Sequence, residues 1–312
     1  MNETATEIEP IIKSAWREQA VWSATANSLK AELVKWRNFA AIAGVLGATL
    51  ETLAASMAYS DGNWLWLRGL VAISGAVVLA IIPFVLKTKA SKEHVNDWIR
   101  ARSISEALKE TIYRYLIRAP PFKSESGPSD LIKKCQDLKN KVQDLCIFSA
   151  SIEPQEKEHP LALTIDSYIE CRVTDQIERY YIPKSRENAR ASKQFHNLEF
   201  GLSLLAVIMG TAVSASVEAQ FSGLLTLAPW IAVVTTASAA ITAHIASSRY
   251  DHQARIFYST ADRLAGLRDE WLANPNRNDL NIINEFVNNC EHAISTENES
   301  WLAEWTREQN GK

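Results

Sequence analysis

Two charged residues lie inside stretches that are otherwise apolar. Glu51 falls in "NFAAIAGVLGATLETLAASMAYS" (38–60) and Arg68 in "NWLWLRGLVAISGAVVLAIIPFVLKTK" (63–89). A charge in hydrocarbon costs several kcal/mol, so each is paired, faces water or serves a function. At about 1.5 Å per residue, Glu51 lies roughly 16 Å below the hairpin tip and Arg68 roughly 10 Å. Side chains lean toward the N-terminus of their own helix, so the two diverge and an ion pair within the hairpin is disfavoured. Arg68 is read as an anchor whose head snorkels to the outer headgroups. Glu51 is neutral, paired across the bundle, or facing water; carboxylates around a shared aqueous path would concentrate cations. Thr211, Ser214, Ser216, Thr235, Thr236, Thr242 and His244 add polar groups to a second apolar pair of segments. They could line such a path, or the hydroxyls could bond carbonyls of their own helices.

Other chemistry is absent. The chain has no phosphate-binding loop, dinucleotide fingerprint, zinc-protease motif or nucleophile elbow. Its six histidines do not cluster. His196 and His252 flank the second apolar pair and could meet, but two interfacial histidines are the simpler reading. Cys135, Cys146, Cys171 and Cys290 form no zinc-like spacing and read as reduced thiols. The net charge of -3 gives no basic excess for nucleic acid. No cofactor or metal is expected, and an enzyme is disfavoured.

The elements that carry these residues are membrane spans. Trp64 to Leu86 is 23 residues, apolar on all sides, with Trp64 and Trp66 at one end and Lys87 and Lys89 at the other. A bilayer core of about 30 Å needs about 20 such residues, and the aromatic and basic ends are interface anchors. Residues 38–60, 198–217 and 224–246 behave alike, giving four spans in two hairpins, joined by the short turns "DGN" and "EAQFSG". Those turns hold no lysine or arginine. The opposite flanks hold Lys30, Lys35, Arg37, Lys87, Lys89, Lys92, Lys184, Arg186, Arg190, Lys193, Arg249 and Arg255. The positive-inside rule then places both termini and the middle segment in the cytoplasm. No cleavable signal peptide is expected.

Outside the spans, apolar residues recur at helical spacing: Ile8, Ile12, Trp16, Ala20, Leu29, Leu33 and Trp36; Ile104, Leu108, Ile112 and Leu116; Ile169, Val173, Ile177 and Tyr181; Phe257, Ala261, Leu264 and Trp271. No alternating strand pattern appears, so the chain is expected to be all-α, with helices running on from the spans into a cytoplasmic stalk. The two halves repeat one order: incoming helix, span, tight turn, span, outgoing helix. "RSISEALKETIYRYL" (102–116) aligns over "YSTADRLAGLRDEWL" (258–272). The expected organisation is a first hairpin module at 1–150, a linker at 151–160 between Pro154 and Pro160, and a second module at 161–312. Small residues line each span (Ala40, Gly44, Ala48; Ala72, Ala76, Ala80; Ala206, Gly210, Ser214; Ala232, Thr236, Ala240), which permits close helix approach.

Tyr168, Arg172, Gln176 and Tyr180 recur at every fourth residue beside an apolar stripe. Such a stripe is read as a packing seam with hydrogen bonds across it; a ligand or nucleotide site in the stalk is the alternative. "YIECRVTDQIERYYIPKSRENARASKQFHNLE" (168–199), and "FVNNCEHAISTENESWLAEW" (286–305) with Glu291, Glu297 and Trp301, resemble the incoming and C-terminal helices of the SLATT superfamily, also catalogued as DUF4231. The first half resembles a more diverged member, so the chain reads as a tandem. It departs in two places. "SDLIKKCQDLKNKVQDL" stands where the first closing helix would be, and Pro183 interrupts the second incoming helix, giving an expected kink or new start.

The resemblance implies a two-helix membrane effector of bacterial conflict systems. The expectation is a multi-pass protein of the bacterial inner membrane that forms a homo-oligomeric, ion-conducting pore. A sensor or nucleotide-signalling protein would be its partner, and nucleic acid would not. A non-conducting scaffold whose stalk recruits a partner is the alternative.

Overall fold

The computed structural model describes residues 3–57, 65–122, 126–153, 160, 162–218 and 222–310, with side chains described for all of these except 3–7, 218, 222–223 and 297–310. Every regular element among them is helical: α1 (Glu3–Ser56), α2 (Leu65–Lys89), α3 (Lys92–Leu116), α4 (Pro128–Asn140), α5 (Cys146–Ser149), α6 (Ile165–Tyr168), α7 (Ile182–Glu218), α8 (Ala228–Ser248), α9 (Tyr250–Ala273) and α10 (Leu280–Asn310), with π-helical and 3-10 stretches between some of them. The chain divides into two compact units. A helical body comprises Met1–Lys30, Val95–Glu187 and Gln253–Lys312, and a second unit comprises Ala31–His94 and Asn188–His252. The hairpin tips at 58–64 and 219–221, and most of the 151–160 linker, lie outside the described residues.

The helical body is built on the stripes. One cluster packs Ile12, Trp22 and Leu29 of α1 against Ile104, Leu108 and Ile112 of α3. Leu131 and Cys135 of α4 complete it, so the segment standing in place of a first closing helix fills the same core. A second cluster packs Val173, Ile177 and Tyr181 against Phe257, Ala261, Leu264 and Trp271 of α9. Phe286, Val287, Cys290 and Ile294 of α10 seal that cluster. The break at 273–279 behaves as its composition suggests. Asp279 accepts from the Asn281 amide at 2.8 Å, satisfying an orphan donor at the start of α10.

Pro183 is the second residue of α7, so a new α-helical stretch does start there. Between α6 and α7 the chain winds as two π-helical stretches, Ile169–Thr174 and Gln176–Tyr181. The Asp175 and Ile182 amides reach back five residues, to the Glu170 and Ile177 carbonyls. A proline ring clashes with the carbonyl four residues before it. The wide turn ahead of Pro183 takes up that conflict.

Four helical stretches, each with part of its length in the second unit, are long and apolar enough to cross a membrane. The first hairpin closes on Gly47 and Gly75, not on the alanines 72, 76 and 80, of which Ala76 and Ala80 are exposed. A β-carbon on Gly47 would stand 2.6 Å from Leu79, and one on Gly75 would stand 2.9 Å from the Glu51 carboxyl. Thr52 donates to the Pro229 carbonyl at 3.3 Å, and Ser203 meets Ser238 at 3.0 Å. The outgoing helices are not continuous with the spans. α2 stops at Lys89 and α3 restarts after Ser91, whose hydroxyl meets His94 at 2.7 Å. Arg249, with φ of 50°, ends α8 in the left-handed region.

Gly47→Val should destabilise the first hairpin by about 1–3 kcal/mol through overpacking. The same change at Gly69, Gly201 or Gly210, where nothing lies within 4 Å, should have little effect within the chain. Unfolding of the purified protein in bicelles measures the difference.

Candidate functional site

The polar stripe at 168–180 opens on a buried ion pair in the helical body. Arg172 Nε donates to Glu291 Oε1 at 3.0 Å and Nη2 to Oε2 at 2.7 Å. Both residues are 1% exposed. The Tyr168 hydroxyl donates to the same Oε1 at 2.9 Å. The guanidinium lies 4.9 Å from the centre of the Tyr113 ring, and Tyr113 makes edge contacts with Trp16 and Tyr168. Arg172 Nη1 is buried with no hydrogen-bond partner among the described residues.

The local sequence explains the arrangement. Tyr168 and Arg172 are four apart and share a helix face. Glu291 sits beside Cys290 and Val287 on the buried face of α10, where only a paired carboxylate is tolerable. Burial alone works against the Arg172 charge, yet the Glu291 carboxylate holds its pKa well above the ordinary value. Burial, then Glu291, lifts the Tyr168 hydroxyl well above the usual phenol range. Burial pushes Tyr113 and Cys290 up to about 12. Burial, then the Arg172 charge, lowers Lys109. A fixed ion pair with phenols kept neutral suits holding helices together.

The remaining stripe residues are less enclosed. Gln176 and Tyr180 are half-buried. Tyr180 accepts a hydrogen bond from Arg102 at 3.1 Å and packs edge-on against Phe257. Trp301 lies on α10, with its side chain outside the described residues.

The intramembrane residues do not gather. Arg68 stands exposed in the first turn of α2, and Glu51 sits against Gly75. No hydrogen bond or ion pair joins either to a described residue. Thr211, Thr235 and Thr236 bond carbonyls three or four residues back on their own helices, and Ser214 is exposed. His244 lies between helices, bonded to the Tyr250 hydroxyl at 3.0 Å and 4.6 Å from the Phe195 ring. His196 faces Glu199 and Asp251, each at 3.4 Å. Among the described residues no group of three His, Cys, Asp or Glu could hold a metal. Sequence reasoning missed Tyr113 and Lys109, because nothing local marks a residue whose polar neighbours lie on the other half of the chain.

Removing one partner of the ion pair leaves a buried charge. Glu291→Ala should therefore cost about 3–5 kcal/mol, and Arg172→Met with Glu291→Leu should recover most of that loss. Chemical denaturation of the full chain, followed by circular dichroism, checks both. The raised thiol and phenols keep their protons longer folded than unfolded. Stability should fall as pH climbs from about 8.5, the unfolded thiol value, through the unfolded phenol value near 10. Burial also pushes Cys135 up, to about 11, so Cys290→Ala should make the fall shallower while leaving its onset in place.

Residues 168–301 match the family described as SMODS and SLOG-associating 2TM effector domain 1. Residues 18–130 match DUF4231, described as a protein of unknown function. No curated protein and no solved structure matches the chain. Each matched stretch contains one of the two hairpins, and the second carries Tyr168, Arg172 and Glu291. The chain is thus a membrane protein in tandem form, a DUF4231 segment followed by a SLATT-type two-span effector domain.

Proposed function

We propose that this membrane effector serves a bacterial conflict or stress system by assembling as a homo-oligomer and dissipating ion gradients when triggered. The observation that carries the reading is how little the spans cover one another. The most apolar windows of the four spanning helices are 28%, 11%, 6% and 0% buried within the chain. Four such helices have most of their surface left for lipid and for further copies, and a wide aqueous path needs several chains. Glu51, with no partner among the described residues, then meets water or a neighbouring copy. The distribution of lysine and arginine supports both termini in the cytoplasm. There the helical body is the part a sensor or nucleotide-signalling protein would engage, with no role for nucleic acid.

A second reading is a non-conducting scaffold. It is favoured by the span hydroxyls, several of which are satisfied by their own helix carbonyls and so are not needed to line a path.

A membrane-potential dye after controlled expression separates the two. Depolarisation that requires intact spans supports conduction; toxicity without depolarisation supports the scaffold. In purified, reconstituted protein, Glu51→Gln should alter conductance or cation preference while leaving assembly intact. Identical conductance would remove Glu51 from the path. A cysteine at Asp61 should react with an impermeant thiol reagent on intact cells, whereas the exposed Cys146 and Cys171 should not. Labelling of those two from outside would reverse the topology.

A further inference from the structure

Wide helical turns are rare and concentrate at functional positions, and this chain places two in succession between a buried latch and a membrane span. They differ in what holds them. The second, Gln176–Tyr181, precedes Pro183, whose ring and missing N–H a wide turn accommodates. The first, Ile169–Thr174, has no proline after it. It contains Arg172 and follows directly on Tyr168, the two side chains gripped by Glu291 of α10.

Side-chain register shows why the grip matters. Val173, Ile177, Tyr181 and Ser185 are all buried, at a constant spacing of four. In an α-helix each step of four overshoots a full turn by about 40°, so three steps drift by about 120° and one end leaves the core. Wide turns cancel that drift. Both ends are fixed to other helices: Tyr168 and Arg172 to α10, and Ser185 through a 2.8 Å bond to the Ala254 carbonyl of α9.

We infer that Ile169–Thr174 is a winding switch, kept wide by the contacts of Tyr168 and Arg172 with Glu291, and that displacing α10 lets it rewind to α-helix. A π turn holds one residue more than an α turn. Rewinding one turn therefore advances every later residue of α7, including its membrane span, by one residue's rotation, about 100°, with a translation of about 1.5 Å. A movement of α10 in the helical body would reach the third span through the continuous helix. This inference does not depend on ion conduction.

The test reads which face of α7 is covered. At present Ser185, Asn188 and Ser192 are buried, while residues 184 and 187 are exposed and 191 is half-buried. Single cysteines are placed at these six positions in the full chain in nanodiscs, with Cys146 and Cys171 replaced by serine. With the latch intact, positions 185, 188 and 192 should react with maleimide about tenfold more slowly than 184, 187 and 191. In Arg172→Met/Glu291→Leu, which frees the latch without leaving a buried charge, protection should pass to 184, 187 and 191. An unchanged order in a variant with native circular dichroism and size would overturn the switch. A second variant decides the matter even if that one fails to fold. Deleting the exposed Glu170 should be absorbed by the extra residue of the wide turn, leaving Tyr168 and Arg172 three apart on one face. The deletion protein should fold with 185, 188 and 192 still protected. Loss of folding or a shifted order would show that the turn holds no removable residue.

Discussion

A bidentate arginine–carboxylate pair with almost no exposure is the constraint on which the helical body turns. Two charges removed from water have to satisfy each other, because neither can be left alone there for less than several kcal/mol. Arg172 and Glu291 do so at 2.7 and 3.0 Å, with Tyr168 donating to the same carboxylate. The requirement fixes α10 against the incoming helix more narrowly than apolar packing would. Val287, Cys290 and Ile294 could slide by a turn and still be covered, whereas the carboxylate has one position.

The same constraint shapes the backbone. Holding Tyr168 and Arg172 at one end, and Ser185 on Ala254 at the other, asks the intervening residues for a period near four. An α-helix supplies 3.6. The wide turns at Ile169–Thr174 and Gln176–Tyr181 make up the difference, and Pro183 is accommodated in the same stroke. The first incoming helix runs as one helix from Glu3 to Ser56 and is tied to α3 by buried neutral hydrogen bonds between Gln19 and Ser105. The two halves thus share a topology while differing in how the helix meets its span.

Much of this was legible beforehand. Spans announce themselves because hydrocarbon forces every backbone group into helical bonding and every face to be apolar. The stripes Ile104–Leu108–Ile112 and Phe257–Ala261–Leu264 announce themselves because burial on one helix face is periodic. The four-residue recurrence of Tyr168, Arg172, Gln176 and Tyr180 was visible as a polar seam. Its departure from 3.6 is the available sign of π winding, whereas the proline at 183 by itself points to a kink or a new helix start. Glu291 could be placed on the C-terminal helix but not paired, since the pairing spans 119 residues of sequence. The small-residue ladders show where close approach is possible without showing which positions use it. Small residues mark where helices can approach, and the span offers more of them than it uses: Gly47 and Gly75 make the contact, while Ala76 and Ala80 face outward.

The Arg172–Glu291 pair makes α10 and the wide-turn segment one mechanical unit. Hydrogen–deuterium exchange of the full chain in nanodiscs tests it most directly, because helices coupled through a buried contact open together. Amides of 286–294 and of 168–181 should exchange with the same opening free energy and shift in parallel with added denaturant. Exchange of 286–294 at a much lower opening free energy, with 168–181 still protected and still wide-turned, would contradict it.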